Sequence, residues 1–324
     1  MRIVGETLLS TDVSAAADEI GPALHEVLTQ TIDRITQPFL PPDWLPTPAN
    51  LRFKKARATL DRIVLGVVAD RRRTGEDPGD LLSMLMHAKD EDSGEAMTDQ
   101  QLRDEAMTIF IAGHETTANA LAWTLHLLAQ HPEAEAKLRA ELAVLQGLSP
   151  TATDLPRLPY LAQVVKESMR LYPPVWVLAR AAAEANVIGG YEIPNGSRVF
   201  LSPYTLHRHP NFWPEPEAFL PERWANPDVP AHKAAYLPFS TGGRKCIGDH
   251  FAMMEAELVL AVILQRATLR SLPGFVVAME PTVTLRPLGG LLMVPGVAPQ
   301  VVGQVAGSEP TVAGGAERCP FGHG

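Results

Sequence analysis

The chain has 324 residues, 46% of them hydrophobic and 20% charged, which gives enough apolar mass for a large core and excludes a disordered chain. A net charge of −9, with no basic run long enough to follow a phosphate backbone, argues against a nucleic-acid binder. The two cysteines, Cys246 and Cys319, predict no structural disulfide and suit a reducing cytoplasm; no signal peptide is visible.

The opening residues, 1–9, read as the middle of a helix. Helical spacing follows over 18–39 and 51–73, broken by Pro38, Pro41, Pro42, Pro46 and Pro48, and a shorter helix is expected over 77–87. Thr98 is the expected N-cap of a long helix over 99–130, with Gln101 completing a capping box and Pro132 ending it. At about 1.5 Å per residue that helix is roughly 48 Å long and must cross the middle of the domain. Its apolar stretch 107–129 is long enough for a membrane span, but Gly113 to Thr117 and Asn119 put polar groups at its centre, which lipid disfavours. A buried helix with a functional centre is the better reading. Further helices are expected over 133–145 and 160–171, the second closed by Pro173 and Pro174.

Beyond that point the pattern changes. Residues 186–193 and 197–202 are β-branched runs on either side of Pro194-Asn195-Gly196, predicting a hairpin about that turn. Residues 211–238 are rich in proline and aromatics without a period and read as ordered coil. An apolar helix is expected over 251–267, and a second hairpin over 283–294 around Gly289 and Gly290. The predicted class is mainly α with a small β-rich side, one domain over 1–298. A Gly-, Val- and Ala-rich tail over 299–324 is expected to be disordered. Its Cys319 and His323 are two ligands, short of a closed zinc site.

Three constellations carry chemistry. The first is Phe239 to Gly248 (FSTGGRKCIG), which sets Cys246 in a glycine-supplied loop just before the apolar helix. A thiolate there would be stabilised by backbone N–H groups at a helix N-terminus. Gly242 and Gly243 permit a tight turn close to a large flat ligand, and Arg244 is placed to meet an acidic group. A lone cysteine is more often a small buried hydrophobe. The whole loop, however, resembles the haem-binding loop of cytochromes P450, F-x-x-G-x-R-x-C-x-G, at every defined position. The resemblance implies that Cys246 is the axial ligand of haem b (iron protoporphyrin IX), with Phe239, Arg244 and Gly248 in the cofactor's surroundings.

The second constellation is Ala112 to Thr117 (AGHETT), where a glycine and two threonines sacrifice helix propensity mid-helix. A threonine hydroxyl bonded to a backbone carbonyl can bend such a helix and leave a groove. The run resembles the P450 oxygen-binding motif. That implies Thr116 as the alcohol and Glu115 as the acid of a proton-delivery pair, with Gly113 leaving room for dioxygen. The third is Glu167-x-x-Arg170, a pair that alone is most often a surface contact. Followed by Pro173-Pro174 and by Arg223 in Pro221 to Trp224, it resembles the family's ExxR helix and meander arginine. The implied role is a buried ion network of Glu167, Arg170 and Arg223 beneath the cysteine loop. Chain order also aligns Arg180 and His207 with family partners of the haem propionates.

The resemblance implies a haem-thiolate monooxygenase with the P450 fold, acting on a lipophilic substrate lined by 109–116 and 175–178. Electrons would come from a ferredoxin or a flavin-containing reductase, docked in part on Arg244 and Lys245. A peroxygenase and a non-catalytic, haem-deficient P450 fragment are the alternatives. The family's first strands, and a helix contributing Trp and Arg to the propionates, precede the point that matches residue 1.

Overall fold

The computed structural model describes residues 2–13, 16–37, 39–90 and 93–298. The expected tail over 299–324, with Cys319 and His323, lies outside the described residues. Nine helices among the described residues dominate: α1 (Arg2–Leu8), α2 (Ala17–Thr36), α3 (Pro48–Thr74), α4 (Leu81–His87), α5 (Asp99–Gln130), α6 (Pro132–Leu142), α7 (Pro159–Leu171), α8 (Pro203–Leu206) and α9 (Asp249–Arg266). Eight short strands complete the fold: β1 (Leu178–Ala181), β2 (Asn186–Ile188), β3 (Tyr191–Ile193), β4 (Arg198–Leu201), β5 (Ala267–Ser271), β6 (Met279–Pro281), β7 (Leu285–Pro287) and β8 (Met293–Val297).

Local chemistry sets the helix ends. Thr98 caps α5 as expected: its hydroxyl accepts from the Gln101 N–H while the Gln101 side chain accepts from the Thr98 N–H, satisfying two otherwise orphaned donors. Thr47 caps α3, Pro48 occupies its first turn, and Gly75 ends it at φ +66, a left-handed conformation glycine adopts without strain. The α3 stripe Ala56, Leu60, Val64 and Val68 is buried at helical spacing. Arg71 ends that stripe under cover, paired in two-pronged fashion with Asp80 at 2.9 and 2.8 Å and bonded to Ser83 and the Leu9 carbonyl.

Two hydrophobic cores form, and α5 runs through both. Its first half gives Leu102, Ala106, Met107 and Phe110 to a core shared with α1 to α4. Its second half gives Ala120, Leu127 and Leu128 to a core shared with α6, α7 and α9. Residues 112–117 fall in the gap between the two sets, where neither core demands apolar side chains. The polar centre of this helix is therefore a junction.

The strands pair differently from the sequence expectation. The hairpin turns at Gly189-Gly190, joining β2 to β3, because both glycines sit at positive φ (+58 and +86), as a two-residue turn requires. Pro194-Asn195-Gly196 does make a turn, with Ser197 N–H donating to the Pro194 carbonyl. It sends the chain to pair with β1 instead: β4 and β1 are antiparallel, Arg180 opposite Val199. The expected hairpin over 283–294 is likewise replaced by two pairings, β6 with β7 and β5 with β8. Gly289 and Gly290 lie between β7 and β8, which belong to different sheets.

Candidate functional site

The cysteine loop is closed by one backbone bond, Cys246 N–H to the Phe239 carbonyl at 2.9 Å. Phe239 packs its ring against the core of α5 to α7 and α9, anchoring one side of the loop. Gly242 adopts φ +72, which an L side chain resists, and the Lys245 N–H donates to its carbonyl at 3.0 Å. Gly248 is the N-cap of α9, and a methyl built there would stand in ordinary contact with the Cys246 sulfur, 4.0 Å away. Cys246 is an exposed free thiol, and the neighbouring Ile247 is 97% exposed. Arg180, on β1, reaches across to donate to Ser240 Oγ at 3.3 Å, joining a strand to the loop. Arg244 is exposed. Lys245, expected to offer free charge to a partner, is paired with Asp249 at 2.5 Å.

Beneath the loop lies the ion network. Glu167 and Arg170, both 0% exposed on α7, form a two-pronged pair at 2.9 Å. Arg223 Nε donates to Glu167 at 3.0 Å, as do the Leu220 N–H at 3.0 Å and Trp224 Nε1 at 2.9 Å. One carboxylate thus receives five hydrogen bonds. Arg170 spends its remaining donors on the carbonyls of His207, Pro216 and Ala218.

His207 corrects the sequence expectation. It is fully buried, and its Nε2 accepts from the Leu237 N–H at 2.9 Å, so its ring faces the interior rather than a ligand's carboxylate. Burial pushes its imidazole down to about 3, which keeps it neutral. Its place in the molecule is a joint. Arg170 holds its carbonyl, its ring holds Leu237, and two residues further on Phe239 holds Cys246. Chain order put His207 near the loop; only packing shows which way it faces.

On α5 the expected proton pair is not joined. Thr116 donates to the Ala112 carbonyl at 2.7 Å, the back-bond anticipated for it, within a helix that runs unbroken. Glu115 accepts instead from Thr284 Oγ at 2.8 Å, and Thr284 accepts from Asn119 Nδ2 at 3.0 Å. The missing side chain of Gly113 faces α1: a methyl there would meet Val4 at 3.4 Å and Leu8 at 3.9 Å. Those are ordinary contact distances, so the side-chain direction of Gly113 is toward α1 rather than toward the open space expected for dioxygen. His114 is half-buried, which pushes its imidazole down to about 4. Thr117 is buried toward Glu255 of α9, whose carboxyl is raised by burial. Through this contact the Thr116 turn and the helix following Cys246 are packed together. The half-buried 175–178 segment lies close by, with Trp176 Nε1 donating to the Thr282 carbonyl at 2.8 Å. A cavity of about 610 Å³ between α2 and α3, lined by Gln30, Arg34, Asp43 and Asn50 among others, includes none of these residues.

The donor set around Cys246 suits an iron porphyrin. A soft sulfur stands clear of protein atoms, the loop glycines leave open space, and two guanidinium groups can meet carboxylates. Among the described residues no group of three or more His, Cys, Asp or Glu could hold a bare metal ion. No helix among them is long and apolar enough to cross a membrane.

The model of the cytochrome P450 family matches residues 3–293, and the chain belongs to that family of haem proteins. Among its relatives is the cyclooctat-9-en-7-ol 5-monooxygenase of Streptomyces melanosporofaciens, 41% identical over 85% of this chain and 60% of that protein. The pentalenene oxygenase of Streptomyces avermitilis is 36% identical over 89% of this chain and 63% of that protein. The crystal structure of the cytochrome P450DA heme domain superposes with a TM-score of 0.82 at 31% identity, over 92% of this chain and 66% of that one. The chain thus spans somewhat under two thirds of the length of these relatives.

Proposed function

We propose that this chain carries the catalytic core of a haem-thiolate monooxygenase: RH + O₂ with two electrons and two protons gives ROH and H₂O. The observation that carries the reading is the exposed Cys246 thiol, fixed by its bond to Phe239 and seated on a buried ion network through His207. Bound haem b would supply dioxygen activation, as the family's cofactor does. Cys246 would hold its iron, Arg180 and Arg244 would pair with its carboxylates, and Phe239 and Gly248 would border it. Glu167, Arg170 and Arg223 keep the loop in place without touching the cofactor.

The reaction consumes protons, and Glu115 with Thr116 supplies a carboxylate and a hydroxyl on the α5 turn that packs toward α9. Both are hydrogen-bonded elsewhere, so delivery requires a water to bridge the second oxygen of Glu115 to Thr116. Ala112 and the half-buried 175–178 segment offer an apolar wall, which favours a lipophilic substrate such as a terpenoid. The relatives named for an unsaturated alcohol and for pentalenene support that class. Electrons would come from a ferredoxin or flavin-containing reductase, docking near the exposed Arg244.

Carbon monoxide added to the reduced, haem-loaded protein tests the reading. The red-shifted Soret band of a thiolate-ligated haem is expected, and Cys246→Ser should abolish it. A wild-type chain without that band would support the haem-deficient alternative. Turnover on peroxide with none on a reductase would support a peroxygenase.

A further inference from the structure

Glu115 is anchored by a residue 169 positions away, and that anchor sits in a braced short segment. Residues 282–284 join β6 to β7, and together with Leu285 at the start of β7 they are tied on several sides. The Thr282 carbonyl accepts from Trp176, and the Thr282 N–H and hydroxyl both donate to the Thr284 carbonyl. The Leu285 N–H donates to Pro174, and the Leu285 carbonyl accepts from Trp123 Nε1 at 3.0 Å. Thr284 is 5% exposed, and its hydroxyl has one proton to give. Asn119 donates to that oxygen, so the proton must point to Glu115. Asn119 lies one helical turn after Glu115 on α5, which makes the arrangement a closed clasp: helix to the β6–β7 connection and back to the same helix.

From this geometry we infer that Thr284 is a positioning residue for Glu115, a latch that sets when and where the carboxylate is free to serve Thr116. The inference rests on the reading of Glu115 as the proton-relay acid. A hydroxyl donating to one carboxylate oxygen fixes the side-chain rotamer while leaving the second oxygen available to solvent or water. Bracing of 282–285 by Pro174 and Trp176 makes the latch rigid and connects it to the segment proposed to line the substrate. Glu115 therefore answers to Pro174 and Trp176, at the edge of the 175–178 wall, as well as to its own helix.

The consequence is a division of electrons. Two electrons and two protons turn O₂ into released H₂O₂, or together with RH into ROH and H₂O. A poorly positioned relay favours the first outcome. In the haem-loaded protein, Thr284→Val should raise the fraction of electrons recovered as peroxide several-fold. Thr284→Ser, which keeps the donor, should stay at the wild-type value. A second readout does not depend on turnover. In a double-mutant cycle of Thr284→Val with Glu115→Ala, which removes the acceptor altogether, the two single effects should together exceed the double variant by about tenfold in the unfolding constant, as a hydrogen bond to a charged group implies. If Thr284→Val fails to fold, Asn119→Ala, which removes the donor holding the hydroxyl, should raise peroxide in the same direction. Wild-type peroxide from Thr284→Val while Glu115→Gln is elevated overturns the latch alone, as do equal rises from the valine and serine variants or an additive cycle. Unchanged peroxide in Glu115→Gln overturns the acid reading, and the latch with it.

Discussion

Replacing Glu167 with glutamine changes one oxygen into an NH₂ group in a site that has only donors to offer it. Three donors meet Oε1: Arg170 Nη2, the Leu220 N–H and Arg223 Nε. Two meet Oε2: Arg170 Nε and Trp224 Nε1. The least damaging orientation keeps the amide oxygen on the three-donor side and turns the NH₂ toward the other two. Two hydrogen bonds are then lost, each worth about 1.5–3 kcal/mol when one partner is charged, so the cost is about 3–6 kcal/mol. Two guanidinium groups are also left with a neutral partner, and breaking buried pairs of this kind costs about 3–5 kcal/mol, in agreement. Against a total stability of about 5–15 kcal/mol, Glu167→Gln should be marginal at physiological temperature. Urea unfolding followed by tryptophan fluorescence suits the measurement, since Trp224 bonds Glu167 and Trp213 lies 5.2 Å from Arg170. A loss below about 1 kcal/mol would refute the reasoning, because it would mean that the five bonds are replaceable by solvent or rearrangement.

His207→Leu removes the acceptor for the Leu237 N–H in a buried place and should cost about 1–3 kcal/mol. It should also weaken the thiolate-type carbon monoxide band in the haem-loaded protein, which a purely global loss of stability would not single out at low temperature. Burial alone would raise the Asp80 carboxyl, but hydrogen bonds from Arg71 and the Ser83 N–H outweigh it and hold the group well below the usual carboxylate range. Its contribution is complete above the unfolded value near 4 and is lost as pH falls below that; Asp80→Asn should flatten the acid limb of a stability–pH curve measured by denaturant titration. Thr98→Ala dismantles the capping box of α5 and should lower stability by about 1 kcal/mol in the same assay, with the carbon monoxide spectrum unchanged.

Local signals in the chain carried the helices and failed at the strands. Thr98, Gln101 and Pro132 bound α5 by chemistry confined to neighbouring residues, so its ends could be read directly. Strand partners are chosen over distance. Two turns, Gly189-Gly190 and Pro194-Asn195-Gly196, compete within eight residues, and only tertiary contact with β1 decides that the second serves a non-neighbour. The site divides in the same way. Glu167 and Arg170 share a helix face at a spacing of three, so their pairing was visible; the Trp224 and Leu220 donors to the same carboxylate were not. Thr284 carries no motif and Ser240 fills a variable position of the cysteine loop; nothing short of the folded chain brings them to Glu115 and Arg180. Gly113 was conspicuous as a helix-breaking residue, but its direction, toward Val4 and Leu8, depends on where α1 packs.

The buried imidazole of His207 gives the cysteine loop an unusual relation to acid. Histidines in an unfolded chain take up a proton near pH 6.5, whereas this one, with its value near 3, stays neutral in the native state. Acidification through that interval therefore favours the unfolded chain, which can bind the proton, over the native one, which cannot. While the fold persists, Nε2 keeps its lone pair directed at the Leu237 N–H. The His207–Leu237 joint behind Cys246 is thus expected to hold in the native state across the pH range in which free histidines titrate.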